Sequence, residues 1–288
     1  MKTALVFGAS GQIGAPLLDR LQRDGGWNVV AVSRGVRADA PGLAWKQGDF
    51  ANLPPLPTRT DALFCCGPLD LFSQWYAESR IETARMVAFG STSVRVKHDS
   101  ADPRERDVAA RLREGERRLF DAAASRGARA SVLRPTLVYG HGRDATLSRI
   151  AVLAGRFGRF PLPRGANGLR QPVHADDLAG AAFAAANVDV PSTSAYDLPG
   201  GETLAYREMV RRVLSSLDPP AKLVELPSPL FKLLLAVAQA GSRAKGLGDA
   251  AVARMREDLV FDIEPAKRDL GYALRAFAPT VEMFKPIL

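Results

Sequence analysis

The chain has 288 residues, of which 47% are hydrophobic, so it can enclose a sizeable core. Its formal net charge is +8, but the arginines are spread along the whole chain rather than gathered in a tail or a basic repeat. This distribution disfavours a nucleic-acid-binding groove and favours an anionic small ligand. No stretch reaches the roughly 18 apolar residues of a membrane-spanning helix.

Cysteine usage and the first residues bear on the compartment. The two cysteines, Cys65 and Cys66, are adjacent in an apolar run, a geometry that disfavours a disulfide between them. Residues 1–7 enter an apolar strand at once and carry no secretory pattern. We therefore expect a reduced, cytoplasmic protein without a metal site, whose partner is a small molecule rather than a nucleic acid.

The strongest motif is a glycine turn at residues 8–14, with the sequence GASGQIG, between an apolar strand and an amphipathic helix. Such a turn collects backbone N–H groups and the positive end of a helix dipole at one point, which suits a pyrophosphate. Gly8 permits the tight turn, Gly11 lets phosphates approach the backbone, and Gly14 lets helix and strand pack closely. The sequence therefore predicts nucleotide binding here, and a glycine turn without a ligand is the alternative.

The end of the second predicted strand, residues 28–33, bears on the choice of cofactor. An acid there would bind the ribose 2′-OH of NAD, whereas a basic residue would accommodate the 2′-phosphate of NADP. Here Ser33 is followed by Arg34, and the first acid is Asp39. A guanidinium binds phosphate through two N–H groups, so the sequence favours NADP(H) over NAD(H). The alternative is that Arg34 is a solvated loop residue.

Two further turns are expected at the same edge of the sheet. After a predicted third strand at residues 43–46, Asp49 can accept a hydrogen bond from the adenine amino group, and Phe50 can form a wall beside it. An aspartate that only stabilises its own turn is an equal alternative. Residues 61–66 read as a fourth strand, which Gly67 ends.

Strands and helices alternate over roughly the first 135 residues, which predicts an α/β fold with a parallel sheet covered on both faces. A helix is predicted over residues 69–83, a fifth strand over residues 85–89 and a long charged helix over residues 105–126. Beyond this point the pattern is less regular. An alanine-rich helix over residues 176–187 is expected to pack back on the core.

Residues 229–240 form a strongly apolar stretch that predicts another helix. This helix is too short to cross a bilayer, so burial in the core is the simplest expectation. A homodimer face and a hydrophobic substrate wall are the two alternatives.

The order and spacing of several motifs resemble the short-chain dehydrogenase/reductase superfamily, in its extended NAD-dependent epimerase/dehydratase branch. The motifs are GASGQIG (8–14), GDF (48–50), LRPTLVYG (133–140), PVHADDL (172–178), GGETL (200–204) and DLGY (269–272). From Arg134 onward, the sequence looks most like bacterial relatives of the SDR-fold accessory subunit of respiratory complex I. The resemblance implies a doubly wound Rossmann sheet of about seven strands over residues 1–163, completed by residues 171–198, with a smaller substrate-binding lobe at residues 199–288.

The resemblance also implies a set of cofactor-binding residues. The glycines of the turn would hold the pyrophosphate, Arg34 the 2′-phosphate, and Asp49 with Phe50 the adenine, while Gly67 would lie against the adenosine. The predicted cofactor-binding residues are Gly8, Ser10, Gly11, Gln12, Ile13, Gly14, Ser33, Arg34, Asp49, Phe50, Cys66 and Gly67. For the substrate, we predict Tyr139 and Arg170, because an arginine placed like Arg170 contacts substrate phosphates in the nucleotide-sugar branch.

Catalysis is where the chain departs from the family. Active members use a Tyr-x-x-x-Lys pair, and the resemblance, counted back from Glu116, implies that it would lie at Val108 and Leu112. Neither side chain can ionise. The hydroxyl residues expected after the fifth strand are present, and we predict Ser91 and Thr92 as catalytic. Candidates for a displaced proton donor are Tyr76, Tyr139, His141 and His174.

Two functions fit this combination. The first is an NADP(H)-dependent oxidoreductase that acts on a small, apolar carbonyl or quinone-like substrate. The second is a protein that binds NADP(H) without catalysis, as a sensor or an assembly partner. A fold and a cofactor site do not decide between them.

Overall fold

The computed structural model describes residues 1–144, 146–240 and 249–285. In chain order, the strands of these residues are β1 (Lys2–Phe7), β2 (Trp27–Ser33), β3 (Leu43–Gln47), β4 (Arg59–Cys65), β5 (Glu82–Phe89), β6 (Arg129–Pro135), β7 (Val138–Tyr139), β8 (Arg159–Pro163), β9 (Leu169–Arg170), β10 (Val173–His174), β11 (Thr193–Leu198), β12 (Leu204–Ala205) and β13 (Lys222–Leu226). The helices are α1 (Gly14–Asp24), α2 (Leu69–Glu78), α3 (Ser93–Val96), α4 (Pro103–Ser125), α5 (Leu147–Phe157), α6 (Ala175–Asn187), α7 (Tyr206–Ser215), α8 (Ser228–Ala240), α9 (Asp249–Arg254) and α10 (Glu264–Leu270), followed by a 3₁₀ helix at Val281–Phe284.

Seven parallel strands form the central sheet in the order β11-β6-β5-β4-β1-β2-β3. β1 lies between β4 and β2, and its last residue, Phe7, pairs with Val32 on one side and Cys65 on the other. The chain runs outward to β3 on one side of β1 and outward through β4 on the other. Ligands of open α/β sheets bind beyond the carboxyl ends of the strands at such a switch point. The predicted fold class is confirmed.

Helices cover both faces of this sheet. α1, α6 and α10 pack on one face, with Leu17 and Leu178 in the core. α2 and α4 pack on the other face, where Phe72 and Leu119 are fully buried. The strands between these layers are apolar on both faces, as burial from both sides requires.

Two predicted boundaries around β5 are wrong. The helix predicted to reach residue 83 ends at Glu78, and the strand begins at Glu82. Ser79 N–H donates to the carbonyl of Trp75 and closes the last helical turn, and Glu82 N–H then donates to Thr58. The hydrogen bond to Thr58 therefore makes Glu82 part of a strand, although the apolar pattern predicted a helix up to residue 83.

A third apolar cluster lies outside the main sheet. α5 and α7 contribute Ile150, Met209 and Val213, and Phe277 joins them from the end of the chain. β8 pairs with β13, so this cluster has a small sheet of its own. The seventh strand of the main sheet, β11, comes after β8 in the chain. The division into a core at residues 1–163 with 171–198 and a lobe at residues 199–288 stays a prediction.

The predicted apolar helix exists as α8, but the expectation that it is buried is wrong. Leu230, Leu233, Leu234 and Val237 form one stripe of the helix and are between 43% and 65% exposed. Phe231 is buried, and the helix packs against β8. An apolar pattern predicts that one face of a helix can pack against another apolar surface, but it does not predict which neighbour covers that face. The dimer face and the substrate wall stay predictions. Among the described residues, no helix is both long enough and apolar enough to cross a membrane.

Candidate functional site

The glycine turn joins β1 to α1 at the carboxyl edge of the sheet. Gly8 has a φ of +67°, and a Cβ there would lie 2.8 Å from the carbonyl carbon of Cys66. A Cβ on Gly14 would lie 2.2 Å from the carbonyl oxygen of Gly8. A Cβ on Gly11 would meet only that same oxygen, at 3.0 Å, within 4 Å. Gly8 and Gly14 therefore serve packing, whereas Gly11 faces open space.

The start of α1 offers unused hydrogen-bond donors. Within the described residues, the N–H groups of Gln12, Ile13 and Gly14 make no hydrogen bond. No side chain caps the helix, and its first turn contains no acid. Unpaired N–H groups at the positive end of a helix attract an anion. Together with the space above Gly11, these N–H groups form a cradle that can accept a phosphate.

The end of β2 lies beside this turn. The hydroxyl of Ser10 is 3.2 Å from that of Ser33, which also accepts a hydrogen bond from Gly35 N–H. Arg34 is exposed and forms no ion pair with the described residues. The carboxylate of Asp39 accepts a hydrogen bond from Trp45 N–H at 2.6 Å, so the first acid after β2 is tied to β3. Arg34 and Arg37 together outweigh the charge of Asp39, so the net charge at this corner is positive.

Phe50 belongs to an aromatic cluster with Phe7, Phe72 and Trp75, and its ring stacks on Phe7 with centroids 5.1 Å apart. A Cβ added to Gly67 would lie 4.0 Å from this ring, so Phe50 and Gly67 lie next to each other. Asp49 accepts hydrogen bonds from the backbone of residues 51 and 52 in its own turn, so part of its acceptor capacity is used locally.

The cysteines at the end of β4 are buried thiols. Cys65 and Cys66 are both free, and burial raises the pKa of Cys65 to about 12 and that of Cys66 well above its ordinary value. Their thiolate forms are therefore scarce at neutral pH. Cys66 contributes to the site through its backbone, which packs against Gly8 and whose N–H donates to Phe7.

The predicted catalytic hydroxyls follow β5. The hydroxyl of Thr92 donates to the carbonyl of Pro135 at 3.2 Å, and that of Ser91 accepts from Ser93 N–H. Both contacts are local, and both residues lie at the carboxyl edge of the sheet. Thr92 N–H also donates to Pro135, so this turn is fixed against the end of β6.

A buried ion pair fixes the same corner from behind. Glu116 of α4 accepts two hydrogen bonds from Arg134 at the end of β6, and both side chains are nearly buried. Arg134 also lies 3.8 Å from Asp197 of β11, whose other oxygen binds Arg95. Burial opposes the charge on Arg134, but the pairing with Glu116 and Asp197 raises its pKa. The pair therefore holds α4 to the end of β6.

The two positions at which the sequence resemblance places the Tyr-x-x-x-Lys pair are apolar. Val108 and Leu112 are half-buried on α4, and Leu112 packs against the core beneath α2. The candidate replacements differ in access. Tyr76 and Tyr139 are buried, and burial raises the pKa of both phenols, that of Tyr139 to about 12. Neither phenol is exposed in this state.

The two histidine candidates share one carboxylate. His174 is buried, burial lowers its pKa, and its Nδ1 accepts from Asp176 N–H. His141 is half-buried, with its Nε2 2.9 Å from the carboxylate of Asp176. Burial opposes the charge on Asp176, but this contact and the nearby charges lower its pKa. Of the four candidates, His141 has the most exposed side chain.

The predicted substrate residues are engaged within the protein. Tyr139 is buried between His174 and Phe277, with ring centroids 5.0 and 4.9 Å away. Arg170 is buried and donates to the carbonyls of Leu169 and of residues 254 and 257. Burial lowers the pKa of Arg170. In this state both side chains are held by contacts within the protein, and their contact with a substrate stays a prediction.

A loop that the sequence did not single out lies against the glycine turn. Gln12 Nε2 donates to the carbonyl of Gly140 at 2.9 Å, and Arg143 donates to the carbonyl of Ser10. A Cβ on Gly140 would lie 2.7 Å from His174 Nε2, so this residue must be glycine. The two glycines that flank His141 were the available signal, but a contact across more than 120 residues leaves no local pattern.

Comparisons with known proteins give the site its context. The chain is similar to the uncharacterized protein y4nG of Sinorhizobium fredii, with 25% identity over 301 residues. The match covers 96% of this chain and 75% of that protein. It superposes on MoeE5 in complex with UDP-glucuronic acid and NAD with a TM-score of 0.67 and 21% identity, covering 96% of this chain and 94% of that one. It superposes on UDP-glucuronic acid 4-epimerase from Bacillus cereus in complex with NAD with a TM-score of 0.72 and 12% identity, covering 98% and 94%.

The chain shares the fold of these two structures. No protein-family model matches its sequence. At these identities the superpositions describe the architecture of the chain.

Proposed function

We propose that this chain is an atypical member of the extended short-chain dehydrogenase/reductase superfamily that binds a nicotinamide dinucleotide at the glycine turn and prefers NADP(H). The observation that carries the proposal is the cradle of unpaired N–H groups at Gln12, Ile13 and Gly14 beneath the open space at Gly11. It lies beside the switch point of the sheet, where such folds bind ligands. The NAD present in the two superposed structures supports the class of cofactor.

The preference for NADP(H) rests on Arg34. Its guanidinium is exposed beside Ser33 and forms no ion pair within the described residues, while Asp39 is tied to Trp45. A 2′-phosphate would therefore meet a guanidinium that pairs with no carboxylate among the described residues. In this proposal, Phe50 and Gly67 border the adenine.

The proposed reaction is hydride transfer to or from an apolar carbonyl or a quinone-like compound. The bound cofactor would supply or accept the hydride. Ser91 would hold the substrate oxygen, and the apolar, half-buried Val108 favours a substrate without charge. Among the candidate groups, His141 has the most exposed side chain and is oriented by Asp176, so in this proposal it moves the proton.

A function without catalysis is the second candidate. It is favoured by the two apolar residues at the positions of the ionisable family pair and by the burial of Tyr139. In this case the protein would hold NADPH without oxidising it, and the cofactor would change its affinity for a partner.

Fluorescence titration with NADPH and NADH tests the cofactor proposal. Wild type should bind NADPH more tightly, and Arg34→Asp should lose about 1.5–3 kcal/mol of NADPH affinity, since charge-assisted hydrogen bonds contribute that much. Arg37→Asp is the matched control, because it makes the same charge change in the same loop. Arg37 itself stacks on Trp45, with 5.3 Å from its guanidinium carbon to the ring centroid. Equal wild-type affinity for the two cofactors would contradict the preference.

A screen of NADPH oxidation against carbonyls and quinones separates the two candidate functions. Turnover of an apolar carbonyl or quinone supports the oxidoreductase, and bound but unoxidised NADPH across the panel supports the second function. Rapid epimerisation of a nucleotide sugar that does not depend on Ser91 would overturn both.

A further inference from the structure

A charged side chain from a distant segment lies across the glycine turn. Arg143 donates a hydrogen bond to the carbonyl of Ser10, and Gln12 donates to the carbonyl of Gly140 at 2.9 Å. The two contacts join segments 133 and 128 residues apart. Ser10 and Gln12 are the sequence neighbours of Gly11, so the loop of residues 140–143 lies against the turn that carries the cradle described above.

The charge of Arg143 is not neutralised within the described residues. No carboxylate there forms an ion pair with it, and the side chain is exposed. The adjacent Asp144 caps α5 instead, by accepting from the N–H groups of Thr146 and Ser148. A guanidinium carries five N–H donors, and a neutral carbonyl is a weaker partner for it than a phosphate.

The backbone that carries Arg143 is held in place. Gly140, His141 and Gly142 have φ values of +95°, +59° and +60°. His141 binds Asp176, and Gly142 N–H donates to the carbonyl of Met283 at 2.8 Å. The long side chain of Arg143 can therefore change rotamer without a movement of the loop backbone.

We propose that Arg143 binds the pyrophosphate of the dinucleotide. Its guanidinium leaves the Ser10 carbonyl and pairs with phosphate oxygens that lie on the N–H groups of the cradle. The pyrophosphate is then bound from two sides, by backbone donors below and by a charged side chain from the loop above. This inference rests on the proposed binding of a nicotinamide dinucleotide at the glycine turn.

Titration of wild type and Arg143→Met with NADPH and NADH tests the inference. The variant should bind the preferred dinucleotide about tenfold or more weakly, as expected for the loss of a charge-assisted contact. Its affinity should also fall less steeply with added salt, because one charge no longer contributes. Competition by adenosine, which lacks the pyrophosphate, should be unchanged, and Arg143→Lys should recover part of the affinity.

Arg156→Met is the matched control, because it removes the same charge from an arginine that lies over Phe157 at the end of α5. Its dinucleotide affinity should equal that of wild type. Failure of wild type to bind either dinucleotide would overturn the proposed function. The role of Arg143 alone would be overturned if Arg143→Met bound the dinucleotide as tightly as wild type. It would also be overturned if the variant lost affinity equally for the dinucleotide and for adenosine while keeping the salt dependence of wild type.

Discussion

Replacing Glu116 by glutamine should destabilise the protein more than its conservative appearance suggests. The side chains of Glu116 and Arg134 are 7% and 14% exposed, so water cannot replace the lost partner. Breaking a buried pair by removing one charge costs about 3–5 kcal/mol. The glutamine oxygen can still accept one hydrogen bond, and Asp197 remains 3.8 Å from the guanidinium, which places the expected loss near the lower value, about 3 kcal/mol.

Denaturation with guanidinium chloride measures this loss as a shift of the unfolding midpoint. Arg117→Met on the same helix is the matched control, because Arg117 pairs with Glu114 and Asp121 on the exposed face. It should leave the midpoint unchanged, since exposed pairs contribute little. If Glu116→Gln loses less than about 1 kcal/mol, or no more than Arg117→Met, the pair does not fix the end of β6.

Two further predictions concern stability. Burial lowers the pKa of His174, so the native state favours the neutral imidazole, whereas the unfolded chain takes up a proton below about pH 6.5. Wild type should therefore lose stability from pH 7.5 to pH 5 relative to His174→Asn. Unfolding midpoints of the two proteins that change in parallel with pH would contradict this prediction. Leu233→Gln should leave the free energy of unfolding unchanged because Leu233 is 63% exposed, whereas Phe231→Ala, at a 5% exposed site on the same helix, should cost about 3 kcal/mol; a concentration-dependent loss in Leu233→Gln would instead indicate a dimer face on α8.

The first half of the fold was predictable because its signals are local. The apolar run before Gly8 and the glycine spacing identify β1, the turn and α1, and the structure confirms each of them. The pairing of β1 with both β2 and β4 follows from the rules of doubly wound sheets rather than from any one residue. The same rules predict that Ser33 and the following Arg34 lie where β2 ends.

The remaining features depend on contacts that no local pattern reports. The apolar stripe of α8 predicts adhesion, but its exposure depends on which neighbours are present. Arg170 is of a residue type typical of phosphate sites, yet its donors bind carbonyls of residues more than 80 positions away. Arg143 reaches the glycine turn only because the loop after β7 folds back over Gln12.

The central claim is that a nicotinamide dinucleotide binds on the glycine turn, and titration of wild type and Gly11→Val with NADPH and NADH tests it most directly. A valine at Gly11 would place a branched side chain in the open space above the cradle, against the carbonyl of Gly8 alone. Gly35→Ala is the control, because a Cβ there meets nothing within 4 Å. With folding verified by circular dichroism, wild type and Gly35→Ala should bind, and Gly11→Val should not. Equal binding by folded Gly11→Val, or none by wild type, would contradict the claim.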